Sequence, residues 1–522
     1  MMRSAVFALL LAVPLCQARA DTPASKPAPK LLLESWQAAY FEGLKVGHMH
    51  TRAEQLGQGE TARIRTTRTM DLVIKRYGGV VPIQIGQTSE ETLEGKVLAL
   101  GLTQMMGMPP KMTFQGTVAD DQLVLKSLVD DREQTSRKVP FPAAAMGLYA
   151  QETIFQRKKA KPGDKVELVS FEILLSGPLT VRGVVRPREK VDQLVVTRAA
   201  DGKVTIAREP VSLLRVDATS DPVTVNGVEV KLPAKVVWLD AKLLPVREQF
   251  EMPGLGTITF YTTSKEAALK EGVAPERLPD LGLNVNIPLK QTIDEPYATR
   301  EATYKVTMKE KLAQVFTTDD RQQIQEPMDK TFELVVKAQR APGTDDMAAS
   351  PGPEYLESNV YVDSDDARIK ALAKAITRKA GDDPWKRALV LERWVHENMK
   401  LSTTVGFPNA SQIARDLEGD CRQHAMLLAA LTRAVGIPSR SAIGLIYIRE
   451  AGKSPNFGFH MWTEVWIKGK WIALDAVLGQ GGVGATHLKM AHHSWAKTQT
   501  LAPLLPISQT LGKLQIEILS AK

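Results

Sequence analysis

Cys421, His460 and Asp475 supply, in that chain order, a thiol, an imidazole and a carboxylate. Those are the groups that thiol chemistry needs as nucleophile, base and orienter of the base. The chain holds only 2 cysteines, and the other, Cys16, ends an apolar stretch that begins at Ala5. Arg3 precedes that stretch and Ala18-Arg19-Ala20 follows it, so residues 1–20 read as a secretory signal with a small-x-small cleavage site. Leu15 stands before Cys16 where a lipid-anchored precursor wants a small residue, which argues against lipidation. Cleavage after Ala20 would leave Cys421 unpaired in an exported chain, periplasmic or secreted, where cysteines are normally bonded. Such a thiol is either an inert core residue or a reactive group.

The elements that must position these residues are local in sequence. In "GDCRQHAMLLAALTRAVGIP", Asp420 is a good N-cap and Gln423 stands at N3, which predicts a capping box with Cys421 at the first helical position. Ala425 to Val435 forms the apolar body of the helix, and Gly436-Ile437-Pro438 ends it. A helix N-terminus favours the thiolate, although the Asp420 carboxylate beside it opposes this. The segment "FHMWTEVWIKGKWIALDAV" predicts a hairpin turning at Lys468-Gly469, with Ile467 paired to Lys470. In that register His460, Trp462 and Glu464 share a face with Asp475, so a carboxylate can hold the imidazole while its other nitrogen meets a thiol.

These two segments resemble the transglutaminase-like superfamily of papain-type cysteine enzymes. "GDCRQHAMLLAALTRAVGIPSRSAIG" is similar to its nucleophile motif, and "HMWTEVWIKGKWIALD" to its His-x-Trp-x-Glu-Val motif with a following aspartate. The resemblance spans roughly residues 365–500 and leaves the N-terminal 340 uncovered. It implies Cys421 as nucleophile, His460 as general base and then acid, and Asp475 as the residue fixing the histidine tautomer. The implied reaction is acyl transfer through a thioester. The amide of Cys421 is one oxyanion donor; "MKLSTTVGFPNA" offers no clear aromatic counterpart for a second. Trp462 is expected beside the histidine, and Glu464 and Arg440 in structural roles.

Beyond these motifs, the apolar fraction of 43% over 522 residues suggests several domains. The expected architecture is multidomain: an antiparallel β-rich N-terminal region followed by an α+β papain-like, transglutaminase-like C-terminal domain. "DTPASKPAPK" at 21–30 is a tether, 31–285 a β-rich domain forming a curved sheet or sandwich, 286–345 a small β-rich segment, and 356–522 the transglutaminase-like domain. Three amphipathic helices are expected before the cysteine, in "DDARIKALAKAITRKA", "DPWKRALVLERWVHENMK" and "NASQIARDLEG". No stretch is long and apolar enough for a transmembrane helix. An excess of 67 basic over 59 acidic side chains, without interleaved aromatics, gives no support to nucleic-acid binding.

Three other histidine groups read as structural. His48 and His50 lack a third ligand, His424 reads as a packed or solvent-facing helix residue, and His487, His492 and His493 have no carboxylate or thiol pattern beside them. No metal and no cofactor are therefore expected. The function that fits is an exported cysteine protease or amidase acting on peptide or cell-envelope amides. A cross-linking transglutaminase and a non-catalytic envelope-binding scaffold are the alternatives; substrate, acyl acceptor and oligomeric state are not encoded in any motif.

Overall fold

The computed structural model describes residues 28–107, 111–198, 204–225, 228–252, 254–310, 315–343, 350–403, 406–496 and 504–522. The expected signal peptide at 1–20, most of the tether at 21–30 and residues 344–349 of the expected 341–355 boundary lie outside the described residues. The chain is multidomain, with a β-rich N-terminal region and a helix-containing C-terminal domain.

Alternating apolar and polar residues build the N-terminal region into one 14-stranded antiparallel sheet. Lys30–Phe41 pairs on one side with Leu44–Leu56 and on the other with Gly256–Thr263, so early and late strands meet in the middle of the sheet. The sheet curls. Phe171 and Ile173, on and just beyond edge strand Lys165–Glu172, share a core cluster with Leu102, Phe114 and Leu123 from strands near the opposite edge. Helix Leu148–Arg157 packs inside the curl and buries Leu148 and Ile154.

In the C-terminal domain the three expected helices form at Ala367–Thr377, Pro384–Asn398 and Ala410–Asp416, each N-capped by an Asp or Asn side chain. They surround a fourth, Cys421–Ala434, whose residues Gln423 to Arg433 are all buried. A helix buried on every face lies at the centre of its domain, and its polar members Gln423, His424, Thr432 and Arg433 are hydrogen-bonded there. It packs on a five-stranded sheet of Ile287–Pro288, Ser439–Ile448, Asn456–Ile467, Lys470–Leu474 and His487–His493. Segment 286–345 supplies strands Glu301–Met308, Gln322–Met328 and Thr331–Lys337, which form a four-stranded sheet with the final strand Leu514–Ala521. Its apolar residues Tyr304, Val306 and Leu334 belong to the same core as Leu427, Leu428 and Leu445. Among the described residues no helix is long and apolar enough to cross a membrane.

Candidate active site

Cys421 takes the first helical position because the capping box forms: the Asp420 carboxylate accepts from Arg422 N at 2.9 Å, and Gln423 Oε1 accepts from Asp420 N at 2.9 Å. Gln423 Nε2 also donates to Gly406 O at 2.7 Å, tying the helix start to the preceding loop. Gly419 makes this possible. Its φ is +153°, and a Cβ there would lie 2.4 Å from Gln423 Cβ, so only glycine lets the capping side chain fold back.

The hairpin forms in the expected register, with Ile467 opposite Lys470 and Thr463 opposite Leu474. It brings His460 and Asp475 together: His460 Nε2–H donates to Asp475 Oδ2 at 2.8 Å. Cys421 lines the same cleft as this imidazole, and its sulfur favours positive charge on the ring. Since Nε2 is engaged by the carboxylate, Nδ1 is the nitrogen left for the sulfur. Burial disfavours charge on His460, but the Asp475 carboxylate and then Cys421 outweigh it and hold its pKa well above the usual histidine value. The Asp475 carboxyl is also buried, yet His460 and His487 hold it far below the usual carboxylate range. The three predicted residues therefore lie close together, Asp475 bonded to His460 and Cys421 in the wall of the same cleft as His460.

Two buried neighbours escaped the sequence reading. His487, grouped there with His492 and His493, turns instead to the carboxylate and donates Nε2–H to Asp475 Oδ2 at 3.0 Å. Burial lowers its pKa to about 4, so it is neutral near pH 7 and its Nδ1 has no partner among the described residues. Glu392, on helix Pro384–Asn398, accepts from Gly481 N at 3.0 Å and braces the loop that follows Asp475. Burial first, and then the negative charge of Asp475, push its pKa up to about 8. His396 of the same helix meets Val477 O at 3.0 Å, and Asp475 Oδ1 accepts from Val477 N at 2.9 Å. Nothing local announced the Glu392 and His396 contacts, because each joins a helix to a loop more than 80 residues away.

Electrostatics around the thiol depart from the expectation in one respect. Asp420 does not face Cys421 as a bare charge: Arg422 Nη2 lies 2.8 Å and Arg76 Nη1 2.9 Å from its Oδ2. Burial pushes the carboxyl up, but Arg422 and Arg76 outweigh it and bring its pKa to about 2. The anion is permanent and compensated. Arg76 comes from the tip of the N-terminal hairpin formed by strands Arg63–Arg76 and Gly79–Thr92, so the β-rich region reaches the site.

The remaining predicted residues fall as follows. Trp462 is buried and its ring lies 6.3 Å from that of His460 with 23° between planes. Arg440 Nε pairs with Glu464 Oε2 at 2.6 Å, and Lys489 Nζ joins the same carboxylate at 2.8 Å, a buried structural network. His424 is packed, with Nδ1 meeting Asp420 O at 2.8 Å. His50 pairs with Glu34 at 3.0 Å and His48 with Asp71 at 3.6 Å, in the N-terminal sheet and outside the cleft that Cys421 lines. Among the described residues, His460, Asp475 and His487 form one group whose ligand atoms, within 4.8 Å of one another, could hold a cation. Two imidazole N–H groups converging on one carboxylate oxygen account for that spacing by hydrogen bonding alone.

No curated protein matches the chain. Similar solved structures include a candidate cysteine protease from Cytophaga hutchinsonii, 16% identical, over 43% of this chain and 90% of that one, with a TM-score of 0.29. A β-barrel-like protein of a domain of unknown function from Brucella abortus is 8% identical over 45% of this chain and 98% of that one, with a TM-score of 0.29. A candidate protease from Parabacteroides distasonis is 12% identical over 80% of this chain and 70% of that one, with a TM-score of 0.18. The stretch that holds Cys421, His460 and Asp475 matches the model of the transglutaminase-like superfamily over residues 370–476, and the C-terminal part of the chain thus carries a transglutaminase-like domain.

Proposed function

We propose that this protein is an exported cysteine-dependent acyl-transfer enzyme, a protease or amidase acting on peptide or cell-envelope amides through Cys421, His460 and Asp475. The observation that carries the reading is the His460 ring bonded through Nε2 to Asp475 at 2.8 Å in the wall of the same cleft that Cys421 lines.

Thiolate Sγ attacks the amide carbonyl, and the negative charge moves to the carbonyl oxygen, which the Cys421 amide at the helix N-terminus can receive. His460, as imidazolium, gives its proton to the departing nitrogen; the C–N bond breaks and a thioester remains. Neutral His460 then takes a proton from water, hydroxide adds to the thioester, and the thiolate leaves. An amine in place of water would give a cross-link instead. Asp475 keeps its negative charge throughout and fixes which histidine nitrogen faces the sulfur.

The test is the rate of iodoacetamide alkylation of the purified protein from pH 4 to 10, with His460→Ala alongside. An unperturbed thiol titrates near about 8.5. A reactive limb well below about 7 in the wild type, lost in His460→Ala, is the expected result. A rate that follows an ordinary thiol in both proteins would sink the reading and leave the non-catalytic scaffold in its place.

A further inference from the structure

The N-terminal region and the C-terminal domain together enclose a cleft of about 270 Å³ over the thiol, with Cys421 and His460 in its wall. Most of its other surface is apolar and comes from both parts: Tyr77, Leu281 and Val285 on one side, Ile443, Phe459 and Met461 on the other. The cations that line it, Arg76 and Arg422, both bond to the Asp420 carboxylate, at 2.9 and 2.8 Å. Neither is a bare charge for a substrate.

The N-terminal wall is pinned in place. At the hairpin tip, Tyr77 N and Gly78 N donate to Asp280 at 2.8 and 2.6 Å. The same carboxylate caps the short helix Leu281–Asn284 through Gly282 N at 3.0 Å and Leu283 N at 3.1 Å. Gly282 lies against the Tyr77 ring so closely that a Cβ there would come within 2.9 Å of it. Two separate elements are thus locked into one surface before any ligand arrives, which is how a binding wall avoids an ordering cost.

We propose that this cleft is the acyl-donor subsite and that it selects substrates carrying a large aliphatic or aromatic side chain beside the attacked carbonyl. The proposal rests on the reading of Cys421 as the nucleophile. A carbonyl presented to Sγ must bring its neighbouring side chain against Leu281, Val285, Ile443 and Met461, where an apolar group leaves water. An acidic or basic side chain loses its hydration there and finds both guanidiniums already engaged by Asp420. The volume falls just below the range of ligand pockets, about 300–1,000 Å³, and suits one side chain with adjoining backbone.

The test uses the full-length mature chain and peptidyl chloromethyl ketones that differ only in the residue bearing the ketone: leucine, phenylalanine, aspartate or lysine. Sγ displaces chloride, a C–S bond replaces the C–Cl bond, and intact mass reads the adduct on Cys421. Iodoacetamide serves as the reagent without a side chain. The leucine and phenylalanine reagents are expected to react at least tenfold faster than the charged ones. Val285→Trp, which fills the cleft, should lower the ratio of the leucine rate to the iodoacetamide rate at least tenfold. Leu281→Ser, which introduces no bulk, should lower the same ratio and guards against a Trp variant that folds poorly. Equal rates across the panel, faster charged reagents, or a ratio unmoved in both variants would overturn the subsite. An iodoacetamide rate that tracks an ordinary thiol would remove the nucleophile itself, and the subsite would fall with it.

Discussion

A single carboxylate oxygen that accepts from two imidazoles sets the character of this site. Asp475 Oδ2 takes His460 Nε2–H at 2.8 Å and His487 Nε2–H at 3.0 Å. In the proposed reaction the first donor is the one whose charge changes; the second stays neutral because burial lowers its pKa to about 4. His487 thus fixes the carboxylate without competing for its charge. Asp475→Asn would keep the shape but remove the charge that favours imidazolium on His460. Cys421 should then lose its alkylation limb below about pH 7, and turnover of an amide substrate should fall by roughly 10⁴-fold, the cost of a misoriented base. The measurement is kcat with the alkylation profile beside it; an unchanged profile would show that Asp475 only packs. His487→Phe leaves a buried acceptor one donor short, and thermal unfolding should report a loss of about 1–3 kcal/mol, with His487→Gln recovering part of it.

At the scale of elements, the helix start and the N-terminal hairpin tip act on one charge. Arg76→Ala would leave Asp420 with Arg422 alone, so more of its negative potential would reach Cys421. The alkylation limb is then expected to move to higher pH, since a nearby carboxylate disfavours the thiolate. High salt should shrink the shift, because the Arg76 side chain is 26% exposed and its charge is partly screened. A limb that does not move would mean that Asp420 acts on the helix alone. The capping box and the 468–469 turn were legible in the sequence because each is decided within a few residues by cap chemistry, turn type and alternation. That same locality placed His460, Trp462 and Asp475 on one face. Arg76, Glu392 and His487 were not legible. Their contacts depend on how a curled sheet comes to rest against Asp420, and how a helix and a later strand come to rest against Asp475 and the loop after it. The pairing of segment 286–345 with Leu514–Ala521 was hidden for the same reason, since strand alternation records which face is buried and not which strand lies alongside.

For the molecule as a whole, these buried groups make stability depend on pH in a predictable direction. His487 titrates near about 4 when folded and near about 6.5 when unfolded, so the unfolded chain binds more protons between those values and stability rises with pH there. Glu392 runs the other way: its folded pKa of about 8 lies above the unfolded value of about 4.3, the folded chain holds the extra proton, and stability falls as pH climbs through that window. Below about pH 6.5 the two slopes oppose each other. Above it only the falling slope of Glu392 remains of the pair, and His460 adds to it, since its raised pKa stabilises the fold at low pH and that contribution is lost as pH rises through the folded value. Glu392→Gln isolates one contribution. Between pH 6.5 and 8 the wild type should lose about 2 kcal/mol more than the variant, read as the difference in denaturant midpoints at constant slope. Parallel curves would mean that Glu392 ionises normally in the fold. The loop from Asp475 to Gly481 would then be braced by an anion, and Asp475 would carry its negative charge beside a second one, which the His460 and His487 donors would have to offset.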